Sequence, residues 1–488
     1  MSSLREKLLR HKKPGGTGAA SAEPEGAAAA DAVVSEAKPA ADGSEWAAIG
    51  AHLEHNERGS FVLRRVAYEG SYSHGRYRLD ELQGQSDYLM SILLPGDVEA
   101  VLSGLSYEQL LYLDTETTGL GIGAGNVPFM IGIGFYEGQR LVVEQMFIRN
   151  PGEELAMLHH LEGRLKRHPY LVSYNGKTFD WPLIKNRYIL NRMPAEPDIA
   201  GHLDFLYPSR SLWRHTLPSC RLGKVEEERL HVTREEDVPG SLAPTLYFQY
   251  LAEKDVSVVK GIFVHNELDL LSLAGLSIHF SRVLQGKYDL AEMELEEQYR
   301  LGLWFDKLGL ETDAEPIFER LRTFLLQPEQ GEEAAEYLLP LAQVYKQRHR
   351  YEEAARLWSA YVERKGQRGT ASTEPYIELS MHYEHREKRL ALALEFAEQA
   401  LGKTRLRQSL LRPRGQEAAA LRGKKALTDE QRKQQAVLAG MEKRIERLRR
   451  KLEREEQAGR SKRSVPGASA GRKRAAREES GYWMDSLI

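Results

Sequence analysis

The stretch LLYLDTETTGL, residues 110–120, constrains this chain more than any other. Leu110 to Leu113 form a short apolar run, as in a buried strand. Just past it stand Asp114 and Glu116, two residues apart. The period of two along a strand sends both carboxylates to one face. Paired acids repel unless a cation lies between them, and a set of hard oxygen donors suits Mg²⁺ or Mn²⁺. A lone Asp-x-Glu also fits a turn with two surface acids, so the argument depends on what accompanies it.

Two further segments accompany it. YLVSYN (Tyr170–Asn175) is a second buried-strand pattern, and it runs into Gly176-Lys177-Thr178-Phe179-Asp180. Asp180 then opens a helix, and Asn175 is placed to hydrogen-bond backbone or ligand. Gly-Lys-Thr is not a P-loop here, because the glycine required five positions before Gly176 is Leu171. The third segment is VHNELDLLSLAGL (Val264–Leu276), in which His265 and Asp269 are i and i+4 and share a helix face. His265 alone would read as a satisfied surface histidine. Beside Asp-x-Glu and a strand-end Asp it reads as functional. Four carboxylates on three elements plus one His suit phosphodiester hydrolysis with two metals about 4 Å apart. A nearby His or Tyr orients or deprotonates the water in such chemistry.

These segments resemble the three motifs of the DEDD superfamily of 3′–5′ exonucleases, which have a ribonuclease H-like fold. LDTETTGL matches the first motif, NGKTFD (Asn175–Asp180) the second and HNELD (His265–Asp269) the third. The stretch from His202 to His231 is similar to bacterial proteins described as ribonuclease H-like or as exonucleases. The region is also similar to the proofreading domains of family B DNA polymerases. The resemblance covers about residues 60–288. It implies that Asp114, Glu116, Asp180 and Asp269 bind two Mg²⁺ or Mn²⁺ ions and that His265 sits where the general base sits. The spacing from His265 to Asp269 is that of the tyrosine subclass, so His265 occupies a tyrosine-type position. The candidates for touching substrate are Thr115, Asn175, Lys177 and Phe179. Asp204 fits either a supporting role at the site or a loop cap. Phe179, Trp181 and Tyr188 fit either base stacking or the core. Lys177 and Lys185 fit either phosphate contacts or solvent. His74, Arg76 and Arg78 read as strand packing.

The 488 residues are enough for two or three domains. Residues 14–45 are rich in Ala, Gly, Pro, Ser and Glu and read as disordered, with order beginning near Trp46. Leu4, Leu8 and Leu9 form at most one amphipathic turn of a frayed tail. A ribonuclease H-like α/β domain is expected over 46–289: a strand at 110–113, a hairpin in Phe129–Ile148 turning at Glu137-Gly138-Gln139, a helix from Gly152, then the second strand and helix. From about Leu290 the pattern is helical. Phe305, Ala314, Phe318; Tyr345, Ala354, Trp358; and Tyr383, Ala393, Phe396 repeat an aromatic–small–aromatic order, which suggests tetratricopeptide-like hairpins over 290–403.

Residues 404–488 read as a basic tail, helical around Met441 and disordered at Ser461–Ser480, and the final YWMDSLI as an apolar end. Residues 401–488 hold 24 Lys and Arg against 11 Asp and Glu, +13, so the preceding 400 residues carry −16. A basic tail on an acidic body fits an anionic partner such as nucleic acid, or a solvated charged helix. The one cysteine, Cys220, rules out intrachain disulfides and cysteine-based metal sites and suits a reducing compartment, hence a cytoplasmic place. No apolar run approaches the ~20 residues of a membrane helix.

The expected function is a metal-dependent 3′–5′ exonuclease acting on single-stranded DNA or RNA ends, with a protein partner at the repeats. The rivals are a catalytically weak nucleic-acid-binding scaffold and a structure-specific endonuclease.

Overall fold

In the computed structural model, residues 33–35, 45–97, 99, 104–119, 123, 125–193, 199–235, 237–411 and 429–463 are described. Ten strands occur among them: β1 (Val33–Ser35), β2 (Ala51–Asn56), β3 (Gly59–Tyr68), β4 (Ser73–His74), β5 (Tyr77–Arg78), β6 (Leu110–Thr117), β7 (Pro128–Glu137), β8 (Arg140–Phe147), β9 (Tyr170–Ser173) and β10 (Gly201–Asp204). Eight build one sheet in the order β1-β3-β8-β7-β6-β9-β10, with β2 also paired to β3, while β4 and β5 form a separate ladder. The pairs β3–β8, β8–β7 and β7–β6 are antiparallel, and β6–β9 and β9–β10 are parallel. This is the mixed sheet of a ribonuclease H-like α/β domain, followed in the chain by helices.

The expected hairpin is present, with Gly138 at φ +58° in its turn, a conformation open to glycine without steric penalty. Two expectations are corrected. Val33–Ser35 is not disordered but pairs with Val66–Tyr68. Its two adjacent valines are β-branched in an otherwise small-residue stretch, and the edge of β3 offers unpaired backbone groups. Asp114 and Glu116 lie within β6 rather than beyond it, because pairing with β7 continues past the apolar residues to a register shift at Glu116/Thr117.

Five longer helices belong to the α/β part: α1 (Glu154–Leu165), α2 (Asp180–Leu190), α3 (Leu206–Trp213), α4 (Ala243–Glu253) and α5 (Lys260–Leu284). Helix α1 packs on β3, and α5 packs on β6, β7 and β8. Trp46 does join the core, with its ring 5.3 Å from Phe147 and 5.6 Å from Tyr250. Trp181 and Tyr188 belong to the same apolar core, which accounts for them without a base to stack on.

The helical part contains α6 (Leu295–Lys307), α7 (Glu311–Leu325), α8 (Leu338–Gln347), α9 (Tyr351–Lys365), α10 (Glu374–His385), α11 (Leu390–Leu411) and α12 (Asp429–Arg463). The chain divides into two compact units at Ile317/Phe318, inside α7 and later than the change of pattern near Leu290. In the second unit α11 runs through the boundary expected near Lys403. The Ile445, Leu448 and Leu452 stripe of α12 packs on Leu390, Ala393 and Ala397 of α11. That part of the basic tail is therefore a packed helix, because its apolar stripe finds a matching one. The expectations for residues 1–32, 464–480 and the final YWMDSLI lie outside the described residues. Among the described residues, no helix is long and apolar enough to cross a membrane.

Candidate active site

Three elements deliver the four acids. Strand β6 carries Asp114 and Glu116, the start of α2 carries Asp180, and α5 carries Asp269. The turn before Asp180 is shaped by Asp204 at the end of β10. Its carboxylate accepts backbone N–H bonds from Asn175 at 2.7 Å, Lys177 at 3.0 Å and Leu206 at 3.1 Å. Asp204 thus caps the loop, and its charge also raises the Asp180 carboxyl. Asn175 takes φ +69°, a left-handed conformation that Asn tolerates better than most residues. Gly176 is required here, since a Cβ would stand 2.5 Å from Ser173 Oγ.

Each acid has its own restraint. The Thr115 hydroxyl donates a short bond to Asp180 Oδ1, so Thr115 positions an acid. Asn266 donates to Asp114 Oδ2 at 2.8 Å, and its amide oxygen accepts from Gln145 at 2.9 Å. Gly132, the partner of Asp114 across the β6–β7 ladder, leaves the room. A Cβ there would fall 2.0 Å from Asn266 Oδ1. The carboxyl of Asp114 is driven well above the usual range by burial, then by Asp269 and Asp180. Glu116 is driven up by burial and then by Asp114, Asp269 and Asp180. Asp180 is pushed up to about 6 by burial, against the lowering effect of the Thr115 bond.

His265 and Asp269 share a face of α5 as expected, with His265 Nε2 3.5 Å from Asp269 Oδ2. Two residues that sequence reasoning missed complete this side. Asp237 lies 2.8 Å from His265 Nδ1, which favours a proton on Nδ1 and turns Nε2 toward the acids. Arg234 bonds Asp269 and Glu226 and lies 3.1 Å from Asp237 Oδ2. Glu226 in turn accepts from Ser272 at 2.6 Å, and Ser272 lies 2.9 Å from His74 Nε2. His74 therefore does pack in the β4–β5 ladder, buried and with its pKa lowered to about 4 by desolvation. Arg234 and Asp237 sit in TREEDVPG, which reads as a solvated charge run.

The weaker substrate candidates divide. Lys177 and Phe179 are exposed, Phe179 by 48%. Asn175 is part-buried and engaged through its backbone. Arg78 pairs with Asp80 on the surface.

The donor set is all carboxylate oxygen and holds like charges close together, which fits a hard divalent cation. Among the described residues, no three His, Cys, Asp or Glu groups are already drawn together as a cage. Thr115, Asn266 and Arg234 hold Asp180, Asp114 and Asp269 toward themselves instead.

The sequence profile of the RNase H superfamily matches residues 111–281, the span from β6 to the last turns of α5. The family B DNA polymerase of the archaeon Pyrobaculum calidifontis overlays with a TM-score of 0.29 at 14% identity, covering 44% of this chain and 28% of the polymerase. The chain thus spans little more than a quarter of that enzyme, and the likeness carries no argument here. The uncharacterized protein YprB of Bacillus subtilis (strain 168) is 35% identical over 361 residues, 73% of this chain and 84% of YprB. The chain belongs to the family of YprB and carries an RNase H-superfamily domain.

Proposed function

We propose that the chain is a metal-dependent 3′–5′ exonuclease that removes nucleotides from the 3′ ends of single-stranded DNA or RNA. The observation that carries this reading is the convergence of Asp114, Glu116, Asp180 and Asp269 in one electrostatic environment, where burial raises the first three and the neighbouring acids raise Asp114 and Glu116 further. Strongly perturbed acids that face one another in this way are a mark of functional sites. These four would hold two Mg²⁺ or Mn²⁺ ions. The chemistry two such ions supply is an activated water and a stabilised leaving oxygen. The chain's own residues do the rest. Asp237 orients the His265 ring so that Nε2 can take a proton. Thr115 and Asn266 fix two of the carboxylates, and Arg234 balances charge on Asp269 and Glu226.

A second reading has one specific support. Arg234 already pairs with Asp269, as it would in a binding protein with weak catalysis. The helical hairpins, with Ala354 and Ala393 fully buried on their second helices, are read as tetratricopeptide-like and as a docking module for a partner protein.

The test uses end-labelled DNA and RNA strands with Mg²⁺, with Mn²⁺ and with chelator. Stepwise shortening from the 3′ end only with metal supports the proposal. Internal cuts would instead mean an endonuclease. Binding with no nucleotide release under any metal would leave the binding-protein reading.

A further inference from the structure

Helix α3 begins two residues after Asp204, the acid that also shapes the turn before Asp180. Tyr207, Arg210 and Arg214 follow at i, i+3 and i+7, so they lie on one stripe. Arg300 and Lys307 of α6 share a face in the same way. The two helices pack together, and these five residues line a cleft of about 310 Å³ between them. Arg300 pairs with Glu296 at 2.7 Å. Among the described residues, Arg210, Arg214 and Lys307 have no carboxylate partner within salt-bridge distance. Residues 1–400 carry −16, so three neighbouring cations with no carboxylate partner are not an ordinary mixed surface.

One residue of the cleft reaches the turn that precedes Asp180. The Tyr207 hydroxyl lies 3.3 Å from Thr178 Oγ1, and Phe179 and Asp180 follow Thr178 directly. Tyr207 and Phe179 are 47% and 48% exposed, unusual for rings of that size beside a buried core. We propose that this cleft binds the backbone of the single strand whose 3′ end lies at the acids, with Phe179 and Tyr207 as stacking faces between the two. The proposal rests on the exonuclease reading of those acids. Guanidinium groups match phosphate oxygens, and exposed rings stack bases of any sequence. An acidic peptide would satisfy the arginines but leave both rings unused.

The test measures binding of fluorescein-labelled oligothymidylate and oligouridylate to the full-length chain, by anisotropy across a salt series in chelator. Arg210→Glu with Arg214→Glu should weaken binding about tenfold or more. It should also flatten the plot of log K against log salt by about 1.4, two phosphates at ~0.7 each. Arg210→Gln with Arg214→Gln should give the same slope change, and guards against misfolding caused by charge reversal. Tyr207→Ala should weaken binding about tenfold through lost stacking. In nucleotide release the loss should fall on KM. Unchanged affinity and slope in both double variants overturn the proposal. So does weakened binding of poly-glutamate with oligonucleotide binding intact, which would make the cleft a protein-docking surface. If the variants lose strand binding while the parent releases no nucleotide, the exonuclease reading falls and the cleft stands. If the variants release nucleotide with the parent's KM, the cleft falls and the exonuclease reading stands.

Discussion

Two acids on the same sheet, Glu144 on β8 and Asp114 on β6, are treated in opposite ways. Glu144 is fully buried, which by itself would push its carboxyl up. His160 at 3.1 Å, Arg164 at 2.9 Å and Arg65 outweigh that and hold it below the usual range. Asp114 is part-buried and desolvated, but its neighbours are Asp269 and Asp180, and the Asn266 amide offsets only part of the rise. The second unit repeats the first solution: buried Glu384 is gripped by Lys451, Arg447 and Arg444, and its carboxyl is lowered despite burial. Where this chain uses a buried acid for stability, it supplies the cations itself. Where it leaves Asp114, Glu116 and Asp180 without a cation of its own, the proposed metal ions would supply the missing charge.

That contrast predicts opposite responses to the same chemical change. Asp114→Asn keeps the volume and removes the charge. Metal-dependent nucleotide release should fall on the order of 10⁴-fold or more, the loss of several kcal/mol of transition-state stabilisation. In chelator the same variant should melt higher than the parent, because one repelling charge is gone. Melting at a lower temperature would break the comparison. His265→Ala should lose about 10²–10⁴ in rate with metal affinity near the parent's by calorimetry. An undiminished rate would remove its role as base.

Glu144→Gln should instead destabilise by about 3–5 kcal/mol, since it leaves buried cations unpaired, as read by denaturant unfolding. The lowered carboxyl of Glu144 sets the sign of the pH dependence. Its contribution is complete above its ordinary value of 4.5 and is lost as pH falls through its lower folded value. The gap between parent and Glu144→Gln should therefore close in acid. A gap that widens in acid would mean that its cations are not what hold it. The smallest expected effect is that of Gly132→Ala. Its methyl would collide with Asn266, at a cost of about 1–3 kcal/mol for overpacking, together with a shift of Asp114. Unaltered stability and metal affinity would show that Asn266 relaxes freely.

Much of the α/β part could be read in the sequence because its signals are local. Leu110–Leu113 and the Phe129–Ile148 hairpin declare themselves by apolar runs and a glycine turn. His265 and Asp269 declare themselves by helical spacing. The strands β2 and β3 were not singled out. In β2, AHLEHN is only partly buried, so its polar residues mask the alternation. The short β10 is held by parallel pairing with β9, which no local pattern announces. Asn266 lay inside a recognised motif, but its bond to Asp114 spans 152 positions and is a property of the fold alone. A usable trace of it did exist: Gly132 is a glycine inside a strand, which often marks a close approach. Arg234 and Asp237 had no comparable trace, because a charge run looks the same whether its members face water or an active site.

Helix α5 has a consequence for how this family can change. Within eight residues, His265 faces Asp237, Asn266 bonds Asp114, Glu267 accepts from Arg64 at 2.7 Å, Asp269 bonds Arg234 and Ser272 bonds Glu226. His265, Asp269 and Ser272 lie on one face, with Asn266 and Glu267 on other sides of the axis, so together these contacts lock the helix in one rotational phase. A single inserted or deleted residue would turn everything beyond it by about 100° and break several of these contacts at once. Point substitutions can accumulate one at a time, but changes of length between His265 and Ser272 cannot. Related sequences should therefore align across that interval without a gap, even where the residues themselves differ.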